Sequence, residues 1–250
     1  MSSAPFSATW SRRGRKTPSE SLIAQYRAVQ NAAKMALIQV ADQIDVLDTE
    51  ASIAEKARRA LASQGVTKTW YHNCPALVLL GTRSCLSIPG NDYEPALERV
   101  GRHNLVTVDL SPMKDGCWGD YARSIFVENG QVTQTPKSSE FSDGMEFLSL
   151  LHAAMRRVAR PEMTLHELFE WTESKIKAAG FENLDFAGNV GHSIGLPQEP
   201  WRIIERGNLS RLGEVPFFTF EPHVRSIGGH WGLKHENIVF FNEAGKIEEL

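Results

Sequence analysis

Four carboxylates and one histidine are the residues of this sequence best suited to chemistry: Asp109, Asp120, His192, Glu221 and Glu236. Carboxylate oxygens and imidazole nitrogens are common ligands of divalent cations. An ionised carboxylate rarely leaves water unless a cation pairs with it. If the fold brings these five side chains together, the carboxylates need a cation, and the sequence therefore predicts a metal site.

Asp109 and Asp120 lie 11 residues apart beside two predicted strands. Asp109 follows the apolar run Leu105–Val108, and Asp120 precedes a second run across the Gly-containing segment Met113–Gly119. Strands joined by such a loop can pair antiparallel, which would let the two carboxylates face each other across the ladder. An Asp at a strand end is about as often a turn or cap residue as a functional one. The two Asp residues therefore support a metal site only in combination with the other three residues.

Glu221 and Glu236 are a stronger signal because each adjoins a very apolar strand. Glu221 follows Phe217–Phe220, and Glu236 begins a run that ends at Phe241. Carboxylates in such strands are rarely buried without a partner. The alternative to a metal is a cationic side chain, for which the sequence offers Arg123, His223 and Lys234. His192 is weaker evidence, since a lone histidine is more often a satisfied residue than a ligand.

The segments around these five residues resemble, in their order along the chain, those of the pita-bread family, which comprises methionine aminopeptidases, aminopeptidase P, prolidases and their non-peptidase relatives. The segments are VTVDL, GDYARS, GHSIG, FTFEP and HENIV. The similarity extends from about Leu22 to the C-terminus. It implies that Asp109 binds one metal, that His192 and Glu221 bind another, and that Asp120 and Glu236 bridge both. The oxygen-rich ligand set favours Mn²⁺, Fe²⁺ or Co²⁺ over Zn²⁺.

The resemblance implies a dinuclear metal-dependent hydrolase of the aminopeptidase or dipeptidase type, in which a metal-bridging hydroxide attacks a small amide or peptide. Peptidases of the family also carry two further histidines. This chain has Asn91 and Asp92 in the place of the first and Gln198 in the place of the second. Glutamine can bind an oxyanion but cannot shuttle a proton near neutral pH. A non-peptidase of the same fold, either a lyase or a small-molecule hydrolase, is therefore the alternative, and an inactive binding module is less favoured because the ligand set is complete.

Several other residues could take over the roles of the missing histidines. The catalytic candidates are Gln198, His223, His230, Lys234 and His235, and the substrate-binding candidates are Asp92 and Trp231. Lys234 could orient a substrate carboxylate, and Trp231 could form an apolar or cation-binding wall. His235 has an ordinary alternative: beside a ligand on a strand, its side chain would point to the opposite face. His223 would share a face with Glu221 only if the strand continues through Pro222.

The elements that position these residues form a pattern of two helices followed by strands, which occurs twice. The predicted helices are Thr17–Asp42, Thr49–Ser63, Asp143–Val158 and one from Thr164 to Gly180. The main predicted strands are Thr67–Tyr71, Ala76–Leu80, Leu105–Leu110, Ala122–Val127, Gln131–Thr133, Phe217–Glu221 and Glu236–Phe241. Thr17 is the predicted cap of the first helix, Thr164–Glu167 is a capping box for the last, and Asn129-Gly130 is the predicted turn of a hairpin. The pattern indicates an α+β fold. The resemblance makes it the pita-bread fold, with two pseudo-symmetric halves in a single catalytic domain over residues 17–250, after a flexible lead-in over 1–16.

Composition narrows the class of protein. The 250 residues are 42% hydrophobic and 23% charged, which is typical of a soluble globular protein. A net charge of −3 argues against nucleic-acid binding, and no apolar stretch is long enough for a membrane span. The N-terminus has no signal-peptide core, and the three cysteines lack CxxC spacing, so we expect a cytoplasmic protein. We expect a small-molecule or short-peptide substrate, and a homodimer is left open.

Overall fold

The computed structural model describes residues 14–195 and 201–250. Most of the predicted lead-in over residues 1–16 and the whole of Gln198 lie outside this part of the chain. Of the helices in the described part, none combines the length and apolarity needed to cross a bilayer.

Two packed helices open the described chain: α1 (Glu20–Gln43) and α2 (Glu50–Ser63). α1 is capped by Ser19, whose Oγ accepts a hydrogen bond from the Leu22 N–H at 3.3 Å. The predicted cap at Thr17 is therefore wrong, because Ser19 is the hydroxyl residue whose extended backbone leads directly into the first turn. Thr49 and Ser52 cap α2 reciprocally.

Seven strands complete the first half: β1 (Lys68–Thr69), β2 (Ala76–Leu80), β3 (Asn104–Leu110), β4 (Pro112–Lys114), β5 (Cys117–Trp118), β6 (Tyr121–Glu128) and β7 (Gln131–Thr133). β2, β3, β6 and β7 form an antiparallel sheet in the order β2-β3-β6-β7, and β1, β4 and β5 form a smaller sheet. The predicted hairpin between β6 and β7 is confirmed. It turns at Asn129 and Gly130, which both have positive φ.

The second half repeats the order of helices and strands. Its elements are α3 (Ser139–Val158), α4 (Leu165–Ala178), β8 (Phe181–Asn183), β9 (Ser193–Ile194), β10 (Phe217–Phe220), β11 (His223–Ser226), β12 (Leu233–Lys234), β13 (Asn237–Phe241) and β14 (Ile247–Glu249). α3 begins at Ser139, four residues before the predicted start at Asp143. Gly144 lies inside this helix because the Leu233 side chain fills the space that a Cβ would occupy. Sequence propensity alone disfavours glycine there.

The two halves meet where β6 runs beside the segment that contains β12 and the start of β13. The Glu236 N–H donates to the Ala122 carbonyl at 3.0 Å, and the Lys234 N–H donates to the Ser124 hydroxyl at 2.9 Å. Arg123 of β6 donates to the Glu236 carbonyl at 2.5 Å. The predicted α+β repeat is confirmed, and the junction between its halves lies beside the predicted metal ligands.

Candidate metal centre

All five predicted ligands lie at or next to strand ends that converge on one place. Asp109 is the penultimate residue of β3, and Asp120 directly precedes β6. His192 directly precedes β9, Glu221 follows β10, and Glu236 precedes β13. Strand ends expose side chains that the middle of a sheet would cover, so this convergence leaves polar groups facing a common space.

Three of the five side chains form a compact cluster with the geometry of a metal site. Ligand atoms of Asp120, His192 and Glu236 all lie within 4.8 Å of one another. His192 Nε2 is 3.4 Å from Asp120 Oδ2, while its Nδ1 lies 3.1 Å from the Ser193 carbonyl oxygen. A proton on Nδ1 donated to that carbonyl leaves the Nε2 lone pair facing the carboxylates. Metal-binding histidines are commonly oriented in this way.

Glu236 shows most directly that a cation fits this cluster. Its side chain is fully buried, and neither carboxylate oxygen has a hydrogen-bond partner. Burial raises the pKa of Glu236 well above its usual range, and the neighbouring Asp120 and Glu221 raise it further. Burial, followed by the charge of Asp109, likewise raises the pKa of Asp120. A buried carboxylate without partners is expensive, whereas a divalent ion would satisfy both oxygens, so the residues present fit a metal.

The other two carboxylates contact a lysine instead. Lys234 Nζ lies 2.6 Å from Asp109 Oδ2 and 3.1 Å from Glu221 Oε2. Burial acts to lower the pKa of Lys234, but the charges of Asp109 and Glu221 prevail and raise it well above its usual range. The ammonium group is therefore charged and is held between two of the predicted metal ligands.

Gln30 of α1 fixes the backbone of Asp120, a role that was not predicted from the sequence. Its Nε2 donates to the Asp120 carbonyl at 2.6 Å, and its Oε1 accepts the Asp120 N–H at 3.0 Å. Gln30 is fully buried. A polar residue among the buried positions of an amphipathic helix is the one signal that could have revealed it.

A cavity of about 280 Å³ opens onto the cluster and has an aromatic wall: Trp70, Tyr71, Phe186 and Trp201. The Trp201 ring stacks on His192, with centroids 5.0 Å apart and an interplanar angle of 8°. The edge of Trp70 packs against Trp201, and its Nε1 donates to the Gly119 carbonyl at 2.8 Å. Sequence reasoning missed these residues. The only signal was their proximity in sequence to the metal motifs, with Trp201 nine positions after His192.

Three of the predicted site residues lie away from the cavity. The Trp231 ring packs against Phe141, with centroids 5.2 Å apart, and therefore belongs to the apolar core instead of a substrate wall. His230 is exposed, and its backbone N–H donates to Glu140 at 2.6 Å. Asp92 is also exposed and does not line the cavity. The predicted roles of these three residues are therefore not supported.

The histidines His223 and His235 are also excluded from the cavity. His223 is buried, and its Nε2 donates to the Ser84 carbonyl at 2.7 Å. Burial, reinforced by the charge of Lys234, lowers its pKa to about 4. The His235 ring lies 4.2 Å from that of His152 on the other side of the strand, which is the alternation that the sequence left open. Neither histidine is placed to exchange a proton with a substrate. Of the predicted catalytic residues within the described chain, only Lys234 lines the cavity.

Three solved structures with the same architecture are named as an aminopeptidase, a prolidase and a dipeptidase. The X-Pro aminopeptidase from Thermotoga maritima MSB8 superposes with a TM-score of 0.76 at 21% identity, over 95% of this chain and 62% of that one. The prolidase from Pyrococcus furiosus gives 0.73 at 21% identity, over 94% and 65% of the two chains. The Xaa-Pro dipeptidase from Bacillus anthracis gives 0.74 at 19% identity, over 95% and 62%. The chain thus spans less than two thirds of the length of these proteins and shares their pita-bread fold.

The sequence itself carries the family assignment. No curated protein shows significant similarity to it. A family model described as "Metallopeptidase family M24" matches residues 24–243, which is most of the 250-residue chain. The chain therefore belongs to metallopeptidase family M24.

Proposed function

We propose that this protein is a metal-dependent hydrolase that cleaves an amide bond in a short peptide or a small molecule. The observation that carries the proposal is the buried cluster of Asp120, His192 and Glu236, in which the Glu236 carboxylate has no other partner. Two members of this cluster, Asp120 and His192, line the cavity. A substrate in the cavity would therefore contact the ion that the cluster holds.

Asp120, His192 and Glu236 would hold the ion, and Gln30 keeps Asp120 in place. When bound, a divalent ion acidifies a water molecule and polarises a carbonyl oxygen. The predominance of oxygen ligands supports Mn²⁺, Fe²⁺ or Co²⁺. The pair of metals implied by the family resemblance would also require Asp109 and Glu221, and both of these contact Lys234.

The aromatic wall orients the substrate and limits its size. A cavity of about 280 Å³ lies at the small end of ligand pockets, which favours one or two amino-acid residues over a long peptide. The names of the structural relatives point to bonds that involve proline, so X-Pro peptides are the first substrates to try. Lys234 and Gln198 remain proposals for contacts to the substrate oxygens.

Asp185 is the described residue best placed to move a proton in the cavity. It lines the cavity, and its Oδ1 accepts hydrogen bonds from the Ala187 and Asn189 N–H groups at 2.9 and 3.0 Å. Its Oδ2 contacts only the Ser87 hydroxyl, at 3.3 Å. Burial raises the pKa of Asp185 above its usual value. A carboxyl group with a raised pKa is suited to general acid or base catalysis.

One observation favours a second candidate, a non-peptidase lyase or small-molecule hydrolase on the same fold. Among the described residues, His192 is the one histidine that lines the cavity, and its ring is committed to the cluster. The histidines that family peptidases use for proton steps are therefore without counterparts in the described part of the site. A reaction that needs fewer proton transfers than peptide cleavage would suit this site.

A substrate panel separates the two candidates. Protein purified with a chelator would be loaded with Mn²⁺, Fe²⁺, Co²⁺ or Zn²⁺ and assayed on X-Pro dipeptides, peptides with N-terminal Met, and non-peptide amides. We expect metal-dependent turnover that Asp120→Asn abolishes, with Asp143→Asn, a substitution on the exposed side of α3, as the control. Turnover of non-peptide substrates alone would favour the second candidate. An absence of metal binding would contradict both.

The location of the protein in the cell, its partners and its oligomeric state are also proposals. The near-neutral charge and the cysteine spacing support a cytoplasmic protein that acts on small molecules or short peptides, without nucleic-acid or membrane partners. A homodimer is consistent with this proposal. Light scattering of the purified protein tests it.

A further inference from the structure

A second cavity, of about 380 Å³, lies between helices α1 and α3. Its apolar lining comes from both helices and from β6: Leu37, Ile38, Ala41, Met145, Leu148 and Phe126. Leu37 belongs to one apolar core cluster, whereas Leu148 and Phe126 belong to another. The cavity therefore lies in a gap between two core clusters and offers an apolar surface to a ligand.

Arg123 brings a positive charge to the lining of this cavity. Its Nη1 donates to the carbonyls of Ala122 and Glu236 at 2.8 and 2.5 Å, and its Nη2 donates to Asn237 Oδ1 at 2.6 Å. The guanidinium group also lies over the Tyr121 ring, 4.0 Å from its centroid. All of these partners are uncharged, and no carboxylate of the described chain forms an ion pair with Arg123. A guanidinium group has five N–H donors, so its Nε–H and one N–H of Nη2 lack an acceptor among the described residues.

His235 adds a further donor to the same lining. Because Asn237 Oδ1 accepts from Arg123, its Nδ2 is the donor toward His235 Nε2, at 3.4 Å. The proton of the neutral His235 ring is therefore on Nδ1. The described part of the chain provides no acceptor for this N–H group.

The other charged groups around the cavity do not supply the missing acceptor. Glu249 pairs with Lys34 at 3.3 Å and with Arg156 at 3.0 Å. Asp42 lines the cavity but is exposed to solvent. Lys234 also lines it, while its ammonium group is paired with carboxylates of the metal centre. The described lining thus combines a positive charge, N–H donors without acceptors and an apolar surface.

We propose that this cavity binds a small monocarboxylic acid with an apolar tail, such as a medium-chain fatty acid. The carboxylate would accept hydrogen bonds from Arg123 and His235, and the tail would lie between α1 and α3. The planar guanidinium group matches the two oxygens of a carboxylate. Small-ligand pockets typically have this volume and this combination of an apolar lining with a few polar groups.

The proposed acid site is separate from the metal centre. His235 and Glu236 are consecutive residues, so their side chains point to opposite faces of the strand. The acid would therefore lie on the face away from the Glu236 carboxylate. The inference does not depend on the proposed hydrolase activity.

Calorimetric titration with three probes of equal tail length tests the inference on the intact protein. Octanoate, octanol and octylamine carry a negative, a neutral and a positive head group. A chelator in the buffer removes divalent ions, so that octanoate cannot bind at a metal. We expect octanoate to bind about 10- to 100-fold more tightly than octanol, because hydrogen bonds to charged groups are stronger than neutral ones. Octylamine should not bind measurably.

Three variants locate the site. Arg123→Met should bind octanoate no more tightly than octanol. Ile38→Glu places a carboxylate in the lining at a position that is 53% exposed, so the variant should fold and should lose octanoate binding. Leu150→Glu makes a similar change at an exposed leucine of α3 outside the described lining, and it should bind octanoate like the unmodified protein.

Equal affinities for octanoate and octanol in the unmodified protein would overturn the inference, as would an absence of octanoate binding. Unchanged octanoate binding by Ile38→Glu would also overturn it, and so would an equal loss of binding in Leu150→Glu. The Ile38→Glu and Leu150→Glu results remain decisive if Arg123→Met fails to fold.

Discussion

At the scale of single residues, the site contains buried carboxylates, and the unfavourable free energy of removing them from water is treated in two different ways. Lys234 compensates Asp109 and Glu221 through direct ion pairs. Glu236 has no such partner, although its side chain is fully buried. The metal-free protein should therefore be destabilised at Glu236 and stabilised there by a bound ion.

Glu236→Gln should stabilise the chelated protein at neutral pH. Burial raises the pKa of Glu236, so the folded state binds a proton that the unfolded state has released. The stability of the metal-free protein therefore falls as pH rises above the ordinary carboxyl range, by about 1.4 kcal/mol for each unit of pH through which this difference persists. Glutamine cannot ionise and removes this loss.

Urea denaturation of both chelated proteins from pH 4 to pH 8 measures the effect. The two curves should converge near pH 4, and the variant should be more stable at pH 8. The same variant should lose metal binding. A variant that is less stable than the unmodified protein at pH 8 would show that Glu236 has a partner of its own.

Asp185→Asn should lower kcat while the protein still binds its metal. If Asp185 moves a proton, its loss should cost about 10²- to 10⁴-fold in kcat, and the pH dependence assigned to its raised pKa should disappear. Asp143→Asn on the exposed side of α3 is the control. Metal content and pH–rate profiles of all three proteins would be compared, and an unchanged profile would exclude Asp185 from the proton steps.

At the scale of elements, helix α1 positions the candidate metal centre although it contributes none of the predicted ligands. Gln30 accepts the Asp120 N–H and donates to the Asp120 carbonyl, so one side chain fixes both polar groups of that residue. The first half of the fold thus places Asp120 through packing of α1 against β5 and β6. Groups that orient metal ligands from behind commonly contribute to metal affinity.

Gln30→Leu should therefore weaken metal binding and lower stability. Leucine keeps the approximate volume but leaves the Asp120 N–H and carbonyl without partners, at a cost of about 1–3 kcal/mol for each buried group. Metal affinity should fall about 10- to 100-fold. Gln43→Leu, at an exposed position of the same helix, is the control and should change neither property. Metal titration and thermal unfolding provide the two measurements, and unchanged affinity would show that Asp120 is held by other contacts.

At the scale of the whole molecule, the centre depends on how the two halves fit together. Asp109 and Asp120 come from the first half, and His192, Glu221 and Glu236 come from the second. Arg123 of β6 connects the halves by donating to the Glu236 carbonyl at 2.5 Å and to Asn237 Oδ1 at 2.6 Å. The contact involves the backbone of Glu236, the predicted metal ligand whose carboxylate oxygens have no hydrogen-bond partner.

Arg123→Met should weaken the junction and the metal site together. The substitution leaves the Glu236 carbonyl and the Asn237 side chain without their donor, and we expect a loss of about 2–4 kcal/mol in unfolding free energy. Arg58→Met, at an exposed helix position, should leave stability unchanged. Denaturant unfolding and metal titration of both variants check this expectation. If the Arg123→Met variant is destabilised but binds metal as well as the unmodified protein, the contacts of Arg123 between the halves are not needed for metal binding.

The sequence by itself determined the repeated order of helices and strands and the five candidate ligands. These features are local: Thr164 and Glu167 form the predicted capping box of α4, and Asn129 with Gly130 forms the predicted turn. Glu221 and Glu236 were recognisable because carboxylates beside apolar strands are rarely buried without a partner, and the family resemblance supplied the rest of the set. Helix starts were less reliable, since Thr17 and Ser19 are both residue types that cap helices and the structure uses Ser19.

Only the tertiary structure decided which charged groups meet and which side chains reach the cavity. Lys234 lines the cavity, and the pairing of β11 with β12 places its ammonium group against Asp109 and Glu221. His235 and Trp231 were plausible site residues, yet strand alternation and core packing turn both away. Some of these outcomes depend on contacts between residues far apart in the sequence, such as His152 and His235, which are 83 positions apart, and Asp109 and Lys234, which are 125 apart. The sequence therefore specified which side chains could bind a metal or a substrate, and the packing of the two halves decided which of these side chains lie together.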